Sequence, residues 1–138
     1  MSNNYNKLYA DVVEWCGNEG YVDYICPQVY FGFEHATCDF VKVCNEFSDM
    51  VKTDSVRLII GMTLGKALSE YDPNAGEGKH EWRDNKDVLL RELEYARDMS
   101  KCKGVSYFCY QYFFDPLTGK PVSGTAEEVS KILPLLKA

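Results

Sequence analysis

Between Gln28 and His35 the chain places an amide, three aromatic rings, a carboxylate and an imidazole within eight residues: Gln28, Tyr30, Phe31, Phe33, Glu34 and His35. Similar mixtures recur at Thr63 and Lys66, at Glu81-Trp82, and at Tyr110, Gln111, Tyr112 and Asp115. Rings interspersed with amides and carboxylates suit a ligand with an apolar face and a rim of hydroxyls. The C–H face of a pyranose packs on an aromatic ring, while its hydroxyls exchange hydrogen bonds with Gln and Glu. Glu34 is the candidate catalytic carboxylate, as general acid or as acceptor from a sugar hydroxyl; the bland alternative is a solvated loop residue with a local cap or ion pair. His35 either bonds the substrate, tunes Glu34, or is an exposed loop histidine. Gln28 and Tyr30 are candidate substrate-binding residues; otherwise they belong to a buried network and to packing. Trp82 either stacks a ligand or pins its loop to the core. Tyr110 and Gln111 would point to opposite faces of a strand, so one at most faces a pocket, and Tyr110 is the substrate-binding candidate of the two.

Other chemistries lack their residues. Glu34 and His35 have no third donor at metal-ligand spacing, so no metal is expected, and no cofactor is expected either. No serine occupies a Gly-x-Ser-x-Gly elbow. Cys109 lies within an apolar run, where a thiol is inert. No GxGxxG or Walker loop supports nucleotide binding.

Residues 5–16 carry apolar groups at helical spacing, stopped by Gly17 and Gly20. Tyr21–Phe31 reads as a buried strand, bulged or frayed by Pro27. A helix is expected over 38–52 and a strand over 56–64. Residues 65–85 form a polar stretch too long for an ordinary strand-to-helix connection, and such loops tend to carry function. A third helix spans 86–101, with Gly104 as its C-cap. Val105–Phe114 reads as a third strand. Thr125 and Glu128 stand at capping-box spacing before a last helix, which Pro134 should distort. The expected fold class is α/β, a single domain over 1–138: three parallel strands with about four helices, in the order α-βα-βα-βα. In such folds the chemistry sits at the C-terminal ends of the strands, where the residues named above fall.

Tyr21-Val22-Asp23-Tyr24-Ile25-Cys26-Pro27-Gln28-Val29-Tyr30-Phe31 resembles the "VDYI-PQ-Y" strand of the bacterial glycosyl-hydrolase-like TIM-barrel proteins, the family-10-like glycosylhydrolases. Leu58-Ile59-Ile60-Gly61, then Glu81-Trp82, a long helix and Gly104-Val105-Ser106-Tyr107-Phe108 follow in the family's order. The resemblance implies a partial (β/α)8 barrel, its C-terminal part, with a carbohydrate ligand at the strand mouths. It also implies an incomplete active site. A whole barrel needs ~250 residues, and the acidic pair of such enzymes usually draws on a fourth-strand end that this chain lacks.

Composition agrees with a packed domain: 46% of residues are hydrophobic and 26% charged, unlike a disordered chain. A net charge of −6 is a poor match for nucleic acid or an anionic membrane, so neither is an expected partner. No apolar run reaches the ~18–20 residues of a membrane span. The first residues lack the apolar core of a secretory leader. The six cysteines show no CxxC spacing and sit mostly on apolar faces, as free thiols packed like small hydrophobes. Strands apolar on both faces need cover on both. The expected partners are therefore a carbohydrate and either a second copy of the chain or the missing barrel half.

Overall fold

The computed structural model describes residues 2–137. Three parallel strands, β1 (Tyr24–Ile25), β2 (Arg57–Thr63) and β3 (Cys102–Phe108), form one open sheet in the order β1-β2-β3. Around it the described residues contain eight α-helical segments. These are α1 (Ser2–Leu8), α2 (Val12–Gly17), α3 (Phe40–Met50), α4 (Gly65–Ser69), α5 (Glu81–Asp84), α6 (Val88–Asp98), α7 (Tyr110–Phe113) and α8 (Ala126–Ile132). Short 3-10 turns cover Gly76–His80 and Leu133–Lys137. The alternating α/β order and the parallel sheet match the sequence reading; the helices are more numerous and shorter.

Period-two alternation along β2 divides the sheet into two unlike faces. Leu58, Ile60, Met62 and Leu64 are 0% exposed. They join Phe40 and Cys44 of α3 and Leu89 and Leu93 of α6 in one core. The opposite face carries Ile59, Gly61 and Thr63. Register places Gln28 level with Gly61, Ser106 level with Gly61, and Phe108 level with Thr63. This second face is not the continuous apolar surface expected of all three strands. It mixes small and polar residues with a few rings.

Several local expectations are corrected. The helix expected over 5–16 is two, because the Asp11 carboxylate accepts from Glu14 N–H at 3.0 Å and starts a new helix at Val12. The first strand is short. Pro27 offers no N–H, and its carbonyl instead accepts from both Val29 N–H and Gly61 N–H. Pairing resumes only at the Gln28–Gly61 bridge. β3 begins and ends earlier than expected. A register shift opposite Leu58/Ile59 admits Lys103, and Gly104 lies inside the strand rather than capping α6. Beyond Phe108 the chain turns into α7, so Tyr110 and Gln111 belong to a helical turn. The capping box at Thr125 does not form. The Thr125 hydroxyl donates to the carbonyls of Tyr112 and Val122. The Glu128 carboxylate reaches instead to the start of α6, accepting from Val88 and Leu89 N–H at 3.1 Å each. Pro134 does end α8, and a 3-10 turn follows.

All six cysteines are free. Cys16 and Cys44 are buried, whereas Cys26 is exposed. Among the described residues no helix is long and apolar enough to cross a membrane.

Candidate functional site

The C-terminal ends of the strands open onto two interlocked loops. The loop after β1, residues 32–38, is held by a carboxylate from the loop after β2. Glu81, 2% exposed, accepts from Phe33 N–H and Glu34 N–H at 2.9 Å each. Arg91 lies 3.7 Å from Glu81, and its guanidinium carbon sits 4.7 Å from the centroid of the Phe33 ring. Burial pushes the Glu81 carboxyl above the ordinary carboxylate range, opposed by the two N–H groups and by Arg91 and reinforced by the charge of Glu34. The approach is close enough to dictate sequence. A Cβ added at Gly32 would fall on the Glu81 carboxylate, and one at Gly78 would fall on the carbonyl of Glu34. Ala36 N–H donates to Ala75 O at 3.1 Å, completing the lock. Within the long segment, buried Asp72 pairs with Lys66 at 2.8 Å and accepts from Asn74 N–H at 3.1 Å. The stretch expected to be a polar loop is thus an ordered cover of short helices.

The candidate residues separate in this frame. Glu34 is exposed, with its backbone fixed by Glu81 and packed on Gly78. His35 is buried rather than free. Its Nδ1 accepts from Cys38 N–H at 3.1 Å, and its ring meets Phe31 edge-on at 5.1 Å. It shapes the loop that carries Glu34. Trp82 is 2% exposed within α5, so of its two readings the structure gives the core anchor. Gln28 is exposed and bridged to Gly61. A Cβ at Gly61 would lie 2.7 Å from the Pro27 carbonyl, so glycine is what lets the kinked β1 approach β2 here. Tyr30 is half-buried, and burial raises its phenol, with Cys26 and Cys109 nearby. Tyr110 is 61% exposed, at the start of α7 rather than on a strand. It borders an apolar groove with Tyr107, Phe113, Phe114, Leu133 and Leu136.

Phe108, which the sequence reading did not single out, joins Tyr30 at the mouth, and Thr63 fixes it there. Phe108 stacks with Tyr30 at 6.1 Å between centroids and 28° between planes, and meets Tyr112 edge-on at 6.2 Å. The Thr63 hydroxyl donates to Phe108 O at 2.7 Å and accepts from Gly65 N–H at 3.1 Å, fixing the end of β3 against β2. The sequence signal was strand parity, since Phe108 shares the Gly61 face, but a strand drawn through to Phe114 hides it. No group of three or more metal-ligating side chains is gathered among the described residues.

The family described as glycosyl hydrolase-like 10 matches residues 1–75. The glycosyl hydrolase YngK of Bacillus subtilis is 34% identical over 105 residues, covering 76% of this chain and 19% of that protein. The glycosyl hydrolase DigH of Escherichia coli K12 is 28% identical over 123 residues, covering 86% of this chain and 26% of that protein. The chain therefore spans about a fifth to a quarter of the length of these curated relatives. No solved structure matches it.

Proposed function

The chain belongs to the glycosyl hydrolase-like 10 family, and from that membership we propose that it supplies part of a carbohydrate site at the C-terminal ends of three strands of a (β/α)8 barrel. The observation that carries this reading is the mouth itself. Beyond β1 the chain carries exposed Gln28, bridged to Gly61 of β2, then half-buried Tyr30 and, on the loop bonded to Glu81, exposed Glu34. In this reading Glu34 is the acid or the hydroxyl acceptor, and Gln28 and Tyr30 contact the sugar. His35, Glu81 and Trp82 hold the loops that present them.

The same geometry limits what the segment does alone. Glycoside hydrolysis needs two carboxyl groups ~5–5.5 Å or ~6.5–9.5 Å apart across one bond. Glu81 is the carboxylate near Glu34, but both its oxygens are engaged by backbone N–H groups in a buried pocket. We therefore read the segment as a sugar-binding part whose catalytic partner carboxylate comes from elsewhere in the barrel. A second reading, self-association through the uncovered sheet face, is favoured by exposed Tyr24 and Phe108. The test is a panel of soluble oligosaccharides assayed for binding and for reducing-end release. Binding without turnover is expected. Turnover by this chain that is abolished in Glu34→Gln would overturn the limit, and no binding to any sugar would overturn the carbohydrate reading.

A further inference from the structure

We propose that Phe108, paired with Tyr30, forms a stacking platform for one pyranose ring at the centre of the mouth; this rests on the carbohydrate reading above. Phe108 is the last residue of β3 and is 53% exposed. On a sheet face whose neighbouring positions are Gly61, Ser106 and Thr63, it is a half-exposed ring outside the hydrophobic core. Register places it level with Thr63. Its ring meets that of Tyr30, which comes from the far side of β2, at 6.1 Å and 28°. The two rings are near-parallel and, with Phe108 half-exposed and Tyr30 half-buried, they leave apolar tiles open to a ligand. Two contacts keep Phe108 in place. Tyr112 abuts the Phe108 edge, and the Thr63 hydroxyl holds the Phe108 carbonyl.

What surrounds the tiles selects the occupant. Ser106 and Gln28 are exposed nearby in the register, and Tyr30 contributes its own phenolic hydroxyl. An apolar tile bordered by hydroxyl and amide groups matches a sugar, which is apolar on its C–H face and polar around its rim. A second protein copy would instead need a contiguous surface of about 800 Å² per partner, far more than two rings. The platform takes the stacking role from Trp82, which is core, while Tyr110 lines an apolar groove with Phe113, Phe114 and Leu136.

The test is calorimetric titration of the full chain with cellotetraose and with chitotetraose, for the unaltered protein, Phe108→Ala, Phe108→Trp and the control Tyr110→Ala. Melting curves run alongside. Phe108→Ala is expected to weaken binding about five- to tenfold with little change in melting, Phe108→Trp to retain it, and Tyr110→Ala to change it less than about twofold. Unchanged affinity in Phe108→Ala would overturn the platform while leaving the carbohydrate reading intact. Equal losses in Phe108→Ala and Tyr110→Ala would overturn it as non-specific apolar binding. A dimer dispersed by Phe108→Ala would assign the rings to a second copy instead. No binding by the unaltered chain would overturn both readings.

Discussion

The two faces of the sheet obey different rules. On one, Leu58, Ile60, Met62 and Leu64 are sealed from water beneath α3 and α6. On the other, the same strand shows Ile59, Gly61 and Thr63, and its neighbours show Ser106 and a half-exposed Phe108. The covered face follows volume and apolarity; the open face follows hydrogen bonding, small size and ring placement. A residue's face, more than its hydrophobicity, therefore decides whether it supports the fold or the mouth.

The sharpest break of this contrast is a cavity on the covered side. Ile60→Ala removes most of a side chain that is fully enclosed, and should cost about 2–5 kcal/mol in denaturant unfolding. Ser106→Ala, on the neighbouring strand but facing the other way, should stay within about 0.5 kcal/mol of the unaltered chain.

Next in size are the two carboxylates that hold pairs of backbone N–H groups. Glu128 serves the start of α6 and Glu81 serves the loop after β1. Replacing Glu128 by Ala leaves two N–H groups unsatisfied and should destabilise by about 1–3 kcal/mol. Replacing Glu81 by Ala should act more locally. Amide exchange at Phe33 and Glu34 should accelerate before global unfolding does, because that loop is fastened chiefly through this carboxylate. Equal acceleration throughout the core would contradict that division.

A smaller effect is the pH dependence of the covered face. Glu92 is buried on α6 with neither oxygen bonded, near the equally unpaired Tyr107 hydroxyl. Burial, then the charges of Glu128 and Glu81, raise its carboxyl well above the ordinary range. Burial and the Glu92 charge push the Tyr107 phenol up to about 12. The folded chain thus holds this proton more tightly than the unfolded one. The stability it contributes is complete below the unfolded glutamate value of about 4.3 and is lost as pH rises toward the folded value. Glu81 and Glu128, also raised, act in the same direction. Glu92→Gln should flatten the decline in melting temperature above about pH 4.3; an unchanged slope would assign the dependence to the other two carboxyls.

What could be read from the sequence follows the same division. β2, α3, α6 and α8 were legible because their apolar spacing repeats against one core. Pro27 announced the break in β1, and Pro134 the end of α8. Periodicity misled where a local bond competed with it: the Asp11 cap divides the first helix although the apolar spacing runs through it. The strand end at Phe108 was hidden because six of the eight residues from Tyr107 to Phe114 are aromatic and give no alternation to read. Gln28, Tyr30 and Glu34, named from the sequence as candidates, are exposed or half-exposed beyond β1. The role of Glu81 in holding the loop was not legible, since its partners are backbone groups 47 and 48 residues away. His35 and Trp82 carry side chains common in binding sites, and only burial distinguishes the support role they fill.

The central claim is that the mouth end of the open face is the ligand surface. Chemical-shift mapping of the isotopically labelled chain during titration with cellotetraose and chitotetraose tests it most directly. The account predicts shifts at Gln28, Tyr30, Thr63 and Phe108, with the covered-face residues Leu58 and Ile60 silent. Shifts confined to the opposite strand ends, at Arg57, Cys102 and Lys103, would contradict it.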